Sequence, residues 1–187
     1  MKYTGLTYRP PYEADSLLLQ VTAGCSHNRC SFCTMYRDVP FEEESMEQIE
    51  SDLQEIAGAI AAARGARRYV PDISRVFLEN GDPFCLPADR LAEIAQLVHR
   101  YLPGVERIAM YASVKNIRSK TDAELRMLRG LGINELNVGV ESGLDDALAR
   151  MNKGYTAEQA FYELGRLRDA GIDYGANIIF GCAGAGR

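Results

Sequence analysis

Apolar side chains along the chain follow two alternating periods. Short runs rich in branched residues repeat every second position and predict strands: "SLLLQVTAG" from Ser16, "RVFLENG" from Arg75, "RIAMYASV" from Arg107, "ELNVGVES" from Glu135 and "YGANIIFG" from Tyr174. Between them apolar residues recur three and four positions apart, which predicts helices with one buried stripe. The helix ends carry start and stop chemistry. Ser45 with Gln48 reads as a capping box ahead of Met46, Ile49, Leu53, Ile56 and Ile60. Pro87 opens a second helix through Leu91, Ile94, Ala95 and Val98, which Pro103 and Gly104 stop. Thr121 with Glu124 caps a third, ending near Gly130 and Gly132, and Thr156 with Gln159 caps another that stops at Gly171. The short "DDALARM" adds a turn or two before Gly154. Strand and helix alternate throughout, the order of a parallel sheet with crossover helices.

The sheet face beneath the helices must be aliphatic. One strand register meets that demand with Leu17, Leu19 and Val21; Val76 and Leu78; Ile108 and Met110; Leu136, Val138 and Val140; Ala176 and Ile178. The other register carries Gln20 and Thr22, Glu79, Tyr111 and Ser113, Asn137 and Glu141, and Asn177. Polar groups on every strand, all turned from the helices, predict an α/β fold of the partial (β/α) TIM-like barrel type with a lumen polar near its mouth. A two-layer sandwich with one wet face is the alternative. The sequence stops just after its fifth strand, at "GCAGAGR", so the barrel is expected to be truncated there, with that strand an exposed edge.

Composition narrows the classes of partner. The 187 residues fit one domain, with residues 1–15 as an N-terminal extension. A formal net charge of -5 argues against nucleic acid as a partner, and "RGARRYVPDISR" from Arg64 reads as a solvated loop. No apolar signal region follows Met1, and nowhere do about 18 uncharged apolar residues run together, so a soluble, cytoplasmic protein without a membrane partner is expected. There is no GxxxxGK[ST] phosphate loop. His27 and His99 are the sole histidines, too few for a convincing Ser-His-Asp set, and His99, within a helix, reads as a surface residue.

Cysteine usage supplies the candidate chemistry. Five cysteines, an odd number, argue for metal or redox chemistry over a disulfide scaffold, and Cys25, Cys30 and Cys33 fall within "AGCSHNRCSFC". In βα architectures the loops after the strand C-termini build the site. Here those loops are the cysteine triplet, "NGDPF", "SVKN", "ESG" and "GCAGAG", all on one rim. Three thiolates can hold an iron-sulfur cluster with one iron left open, the feature that separates a catalytic metal site from a structural one. The alternative is a structural zinc or an inert cluster with Cys85, Cys182 or His27 as fourth ligand; lone cysteines such as Cys85 and Cys182 are more often small buried hydrophobes. Gly81, Asp82 and Pro83 would allow close backbone approach to a ligand and offer a carboxylate to its ammonium, although the same residues also make an ordinary turn. Glu141, before Ser142 and Gly143, reads either as an acceptor for ligand hydroxyls or as a solvated carboxylate opening the next helix.

These residues together resemble the radical S-adenosylmethionine (SAM) superfamily over nearly the whole chain. Cys25, Cys30 and Cys33, with Phe32 before the last cysteine, resemble its cluster loop, although the four residues between Cys25 and Cys30 exceed the commonest spacing. Gly81, Asp82 and Pro83 resemble its Gly-Gly-Glu-Pro-type motif, "VGVESG" its ribose-side motif and "NIIFGCAG" its adenine-side motif. "YRPPYEADSLLLQVTAGC" is similar to uncharacterised iron-sulfur oxidoreductases distantly related to oxygen-independent coproporphyrinogen oxidases. The resemblance implies a 4Fe-4S cluster on the three cysteines and SAM on its open iron. It further implies reductive cleavage of SAM to methionine and a 5'-deoxyadenosyl radical, which takes hydrogen from an unknown substrate, with reduced flavodoxin or ferredoxin as electron donor. By the same carry-over Phe32 lies beside adenine, Asp82 with Gly81 and Pro83 faces the methionyl ammonium, Glu141 and Ser142 face ribose or carboxylate, and Asn177 and Ile179 line the adenine side, with Ser113 also at the cofactor. Family cores usually carry six βα units, one more than is legible here. Two further readings remain open: an electron-transfer or metal-binding module, and an inactive truncated domain.

Overall fold

The computed structural model of the chain describes Met1 and residues 3 to 182. An N-terminal segment leads to β1 (Leu17–Gln20) and β2 (Thr22–Ala23); the cysteine loop follows, and β3 (Glu42–Glu43) returns from it antiparallel to β2. Then come α1 (Met46–Gly65), β4 (Arg75–Glu79), α2 (Ala88–Tyr101), β5 (Arg107–Ala112), α3 (Val114–Arg118), α4 (Asp122–Gly130), β6 (Ile133–Glu141), α5 (Asp145–Arg150), α6 (Ala157–Ala170) and β7 (Asp173–Ile178).

The main sheet has five strands in the order β1-β4-β5-β6-β7, every neighbour parallel. Because spatial order follows chain order without a reversal, the sheet is wound in one direction, as in a barrel and unlike a doubly wound sheet with its switch point. The fold is α/β, of the partial TIM-like type. Leu19, Val76, Leu78, Ile108, Met110, Leu136 and Val138 are buried in one core with Ile49 and Leu53 of α1, Leu91, Ile94 and Val98 of α2, Leu125 and Leu128 of α4, and Leu167 of α6. The aliphatic register therefore does face the helices on the first four strands. On β7 it does not: all six residues are exposed, Ala176 and Ile178 included, and β7 is the edge strand of the sheet.

The helix ends follow local chemistry with one exception. Thr121 and Glu124, and Thr156 and Gln159, form reciprocal capping boxes, and α6 closes on Gly171 at φ 76°. At α1 only half the box exists: Ser45 Oγ accepts from Gln48 N at 3.1 Å, while the Gln48 amide turns along the helix to Asp52 Oδ1 at 3.1 Å. "SVKN" is not a loop: Ser113 caps α3 by accepting from Asn116 N at 3.3 Å. The first predicted strand breaks at Val21 into β1 and β2, because Val21 N–H turns to Glu79 O at 3.4 Å while its carbonyl accepts from Glu44 N at 3.0 Å. His99 is half-buried, its Nε2 donating to Leu131 O at 2.9 Å, so it docks α2 against the end of α4.

The inner face of the sheet is covered by the chain's own N-terminal segment. Thr4 N donates to Gln20 Oε1 at 2.7 Å, Tyr3 Oη to Leu18 O at 3.1 Å, Asn80 Nδ2 to Thr4 O at 2.8 Å, and Tyr12 Oη to Asn137 Oδ1. At the opposite end from the rim, Arg75 bridges the buried Glu13 at 2.5 Å and Glu135 at 3.1 Å, and Arg107 bridges Glu135 at 3.0 Å and Asp173 at 3.1 Å. This chain of charges ties the segment and the starts of β4, β5 and β7 together.

Candidate functional site

The cysteine loop leaves β2 through Gly24, which meets the loop after β4. Gly81 has φ 85°, and a Cβ built on it would overlap the carbonyl oxygen of Gly24. The close approach expected of Gly81 is thus chiefly to the cysteine loop, backbone on backbone, and only a residue without a side chain fits. Asp82 makes the second tie. Its carboxylate accepts from Ser26 Oγ of the cysteine loop on one oxygen and from Asn116 Nδ2 of α3 on the other, and it is buried. Burial pushes its pKa up to about 6 although both hydrogen bonds pull the other way. Pro83 is buried at the start of a 3-10 turn, Pro83–Cys85, and acts as a stiff support behind the rim.

The far side of the loop is clamped by the segment after α5. Ser31 N donates to Met151 O at 3.2 Å, Ser31 Oγ to Arg150 O at 2.9 Å, and Asn152 Nδ2 to Arg29 O at 2.9 Å. His27 Nε2 donates to Asn152 O at 2.7 Å, which fixes the tautomer and leaves Nδ1 as acceptor for Lys115 Nζ at 3.4 Å. Asn152 itself has φ 57°, so the clamp is built on a left-handed turn.

Between these supports lies a cavity of about 310 Å³. Cys25, Cys30 and Cys33 line it, together with Phe32, Gly81, Asp82, Ser113, Glu141 and Asn177 of the predicted set. Tyr36, Tyr111, Asn137, Lys153 and Tyr155 also belong to the wall. The predicted loops therefore converge. Pro83, Ser142 and Ile179 stay outside the lining: Ser142 is buried, its Oγ accepting from Leu144 N at 3.2 Å, and Ile179 N donates to Glu141 O at 2.9 Å, tying β7 to the rim. Ala183 and Gly184 of the predicted adenine-side motif, and the rest of "GCAGAG" after them, lie outside the described residues.

Lys153 is the wall residue with the most chemistry that sequence reasoning missed. Its buried ammonium meets Glu141 Oε1 at 3.2 Å and lies 5.8 Å from the ring centroids of both Phe32 and Tyr155. Glu141 is accordingly a paired, buried carboxylate and not a solvated helix opener, and its φ of 71° turns the chain at the β6 end. The legible signal was position: Lys153 and Gly154 follow the short helix "DDALARM", where a turn must bring the chain back over the rim. Tyr111 and Asn137 were legible as inner-register residues, without an assigned role.

Among the described residues no three His, Cys, Asp or Glu side chains converge closely enough to hold a single metal ion. Three cysteines on one cavity fit the thiolate ligand set that an iron-sulfur cluster would need. Burial pushes the Cys25 and Cys30 thiols up, so thiolates there need cationic compensation, which an iron centre supplies. Cys85 and Cys182 do not line this cavity; burial pushes Cys85 up to about 12, the state of an inert thiol.

A model of the "Radical SAM superfamily" matches residues 19–184. The heme chaperone HemW of Bacillus subtilis (strain 168) is 23% identical over 161 residues, 86% of this chain and 41% of that protein. Among solved structures, the cobalamin-dependent S-adenosylmethionine radical enzyme OxsB superposes with a TM-score of 0.68 at 22% identity, covering 87% of this chain and 23% of that one. Coproporphyrinogen III oxidase (HemN) from Escherichia coli, a radical SAM enzyme, superposes with a TM-score of 0.58 at 17% identity, over 88% and 37%. The chain thus spans less than half the length of these proteins, and the likeness to the two structures is one of fold. With three thiols, a rim of βα loops and a family match that runs from the first strand past the last, the chain belongs to the radical SAM superfamily.

Proposed function

We propose that residues 1–187 form a radical SAM core with residues 1–15 as an extension over its inner face, and that the cavity holds a 4Fe-4S cluster on Cys25, Cys30 and Cys33 with SAM beside it. The observation that carries this reading is the convergence of all three thiols with Phe32, Asn177 and the buried Lys153–Glu141 pair on one cavity. Bound together, cluster and SAM supply a one-electron cleavage to methionine and a 5'-deoxyadenosyl radical, the electron coming from reduced flavodoxin or ferredoxin.

The chain's own residues prepare that chemistry. Gly81 and the Asp82 bridge set the cysteine loop against β4 and α3, and the clamp at Arg150 to Asn152 sets its other side. Asp82 keeps a lone pair on each oxygen for a ligand ammonium, while Lys153 offers a buried cation to a ligand carboxylate. Phe32 and Asn177 supply a ring face and an amide for a nucleobase, Glu141 an acceptor for ribose hydroxyls, and Ser142 and Ile179 hold the backbone of that wall. Tyr36 and Tyr111 wall the cavity with aromatic rings, which limits water around a reactive centre. A substrate reaches the same cavity, in a protein of the cytoplasm.

Anaerobic reconstitution with iron and sulfide, followed by SAM and a strong reductant, tests the proposal. Wild-type protein is expected to show cluster absorbance and to release 5'-deoxyadenosine, and Cys30→Ala to do neither. A loaded cluster that leaves SAM intact would defeat the enzyme reading, and stoichiometric zinc without cluster absorbance would defeat the iron-sulfur one.

A further inference from the structure

Four residues separate Cys25 from Cys30, and the fold holds each of them by a side chain or a carbonyl. Ser26 Oγ donates to the Asp82 carboxylate, Asn28 Nδ2 donates to Tyr36 O at 2.8 Å, and Arg29 O accepts from Asn152 Nδ2 at 2.9 Å. His27 is held from two sides, by Asn152 O at 2.7 Å on Nε2 and by Lys115 Nζ at 3.4 Å on Nδ1. These two contacts fix the state of its ring. A backbone carbonyl only accepts, so Nε2 carries the hydrogen; an ammonium only donates, so Nδ1 offers its lone pair. The imidazole is therefore neutral, and it stands between a cation on α3 and the turn after α5.

Successive residues of α3 hold successive residues of the loop. Lys115 meets His27, and Asn116 Nδ2 donates to the same Asp82 carboxylate that accepts from Ser26. His27 lines the cavity with the three thiols, so Lys115 reaches the cavity wall through one direct contact. The backbone opposite is shaped to admit it. Gly154 has φ 72°, and a Cβ built there would lie 2.5 Å from Lys115 Nζ and 2.7 Å from Lys115 Cε. The end of the half-buried lysine occupies space that only glycine leaves free, a demand that an ammonium standing in solvent would not make.

Resting on the reading that Cys25, Cys30 and Cys33 hold an iron-sulfur cluster, we infer that Lys115 is a positioning residue for that centre: through His27 it fixes the Cys25–Cys30 spacer against α3, and it brings a positive charge to the cysteine loop. Reduction adds an electron to a centre ligated by thiolates, so a cation held at the loop favours the reduced form. Lys153, on the cavity wall, is matched by the Glu141 carboxylate at 3.2 Å. His27 is neutral, so its contact with Lys115 leaves the charge of that lysine uncancelled.

Two measurements on the full chain test this. The first needs no iron: nitrogen-15 NMR of the imidazole rings at about pH 8, above the ordinary histidine range. The chain has two histidines, and His27→Asn assigns the spectrum. In wild type His27 is expected to carry its hydrogen on Nε2 with Nδ1 shifted as an acceptor. Lys115→Met removes the ammonium and Gly154→Ala displaces it, so in either variant Nδ1 is expected to move to the position of an unbonded nitrogen. The second measurement follows the reduction midpoint of the reconstituted cluster by electron paramagnetic resonance. Lys115→Met is expected to lower the ratio of reduced to oxidised cluster at a given potential by at least about threefold, a downward shift of roughly 30 mV for one electron. Lys115→Arg, which keeps the charge, is expected to stay near wild type. An Nδ1 signal that is the same in wild type and both NMR variants overturns the inference, as does a midpoint that Lys115→Met leaves in place or that the Met and Arg variants shift alike. A wild-type chain that takes up no cluster defeats the cluster reading itself, whereas a cluster that forms with a midpoint indifferent to Lys115 overturns this inference alone.

Discussion

Replacing Glu79 by Gln is expected to stabilise the protein, and by an amount that grows with pH. The carboxyl is pushed from 4.5 to about 7 in the folded chain because its burial disfavours the charge. A folded state that holds the proton longer than the unfolded one loses stability as pH rises from 4.5 through 7. At about 1.36 kcal/mol per pH unit the full loss is about 3 kcal/mol above pH 8 or so, and less than about 1 kcal/mol at pH 5. The amide keeps the shape and never ionises, so the variant escapes that loss. Urea denaturation of both proteins at pH 5 and pH 8 measures it: the variant's midpoint should exceed that of wild type by about 1 to 2 M more urea at the higher pH, for a slope of about 1 to 3 kcal/mol per molar. A stability difference that is the same at both pH values, or a variant less stable at pH 8, would refute the reasoning. It would mean that Glu79 has a partner or water that keeps it charged at little cost.

Other substitutions probe the supports of the site. Gly81→Ala puts a methyl onto the Gly24 carbonyl at φ 85°, and is expected to cost at least about 2 kcal/mol and to reduce iron loading on reconstitution, read by urea melts and iron analysis. Lys153→Met strands the buried Glu141 carboxylate and is expected to cost about 3 kcal/mol; adding Glu141→Gln should recover most of that, and a double-mutant cycle showing simple additivity would mean that the pair is uncoupled. Thr156→Ala removes one capping box and is expected to lower stability by about 1 kcal/mol while leaving iron loading unchanged.

The family's cluster loop and the βα order were legible because both are local in sequence. Three cysteines within nine positions need no tertiary contact to be seen, and capping pairs such as Thr121 with Glu124 act within one turn. Strand parity likewise placed Glu79, Tyr111 and Asn137 on the inner face, since side chains alternate along a strand whatever they meet. What those residues meet was beyond the sequence. Lys153 reaches Glu141 across 12 positions, and His27 reaches Asn152 across 125, because the sheet carries both strand ends to one rim. The same folding spends the Gly81 approach on Gly24, leaves Ala176 and Ile178 on an edge strand uncovered, and lays residues 3 to 12 along the inner face. The sequence by itself determined the elements, their order and the thiol set, because those follow from local periodicity and spacing. The tertiary structure alone decided which polar groups found partners and which, like Glu79, were buried without one among the described residues, because hydrogen bonding in the lumen is settled by residues far apart in the chain.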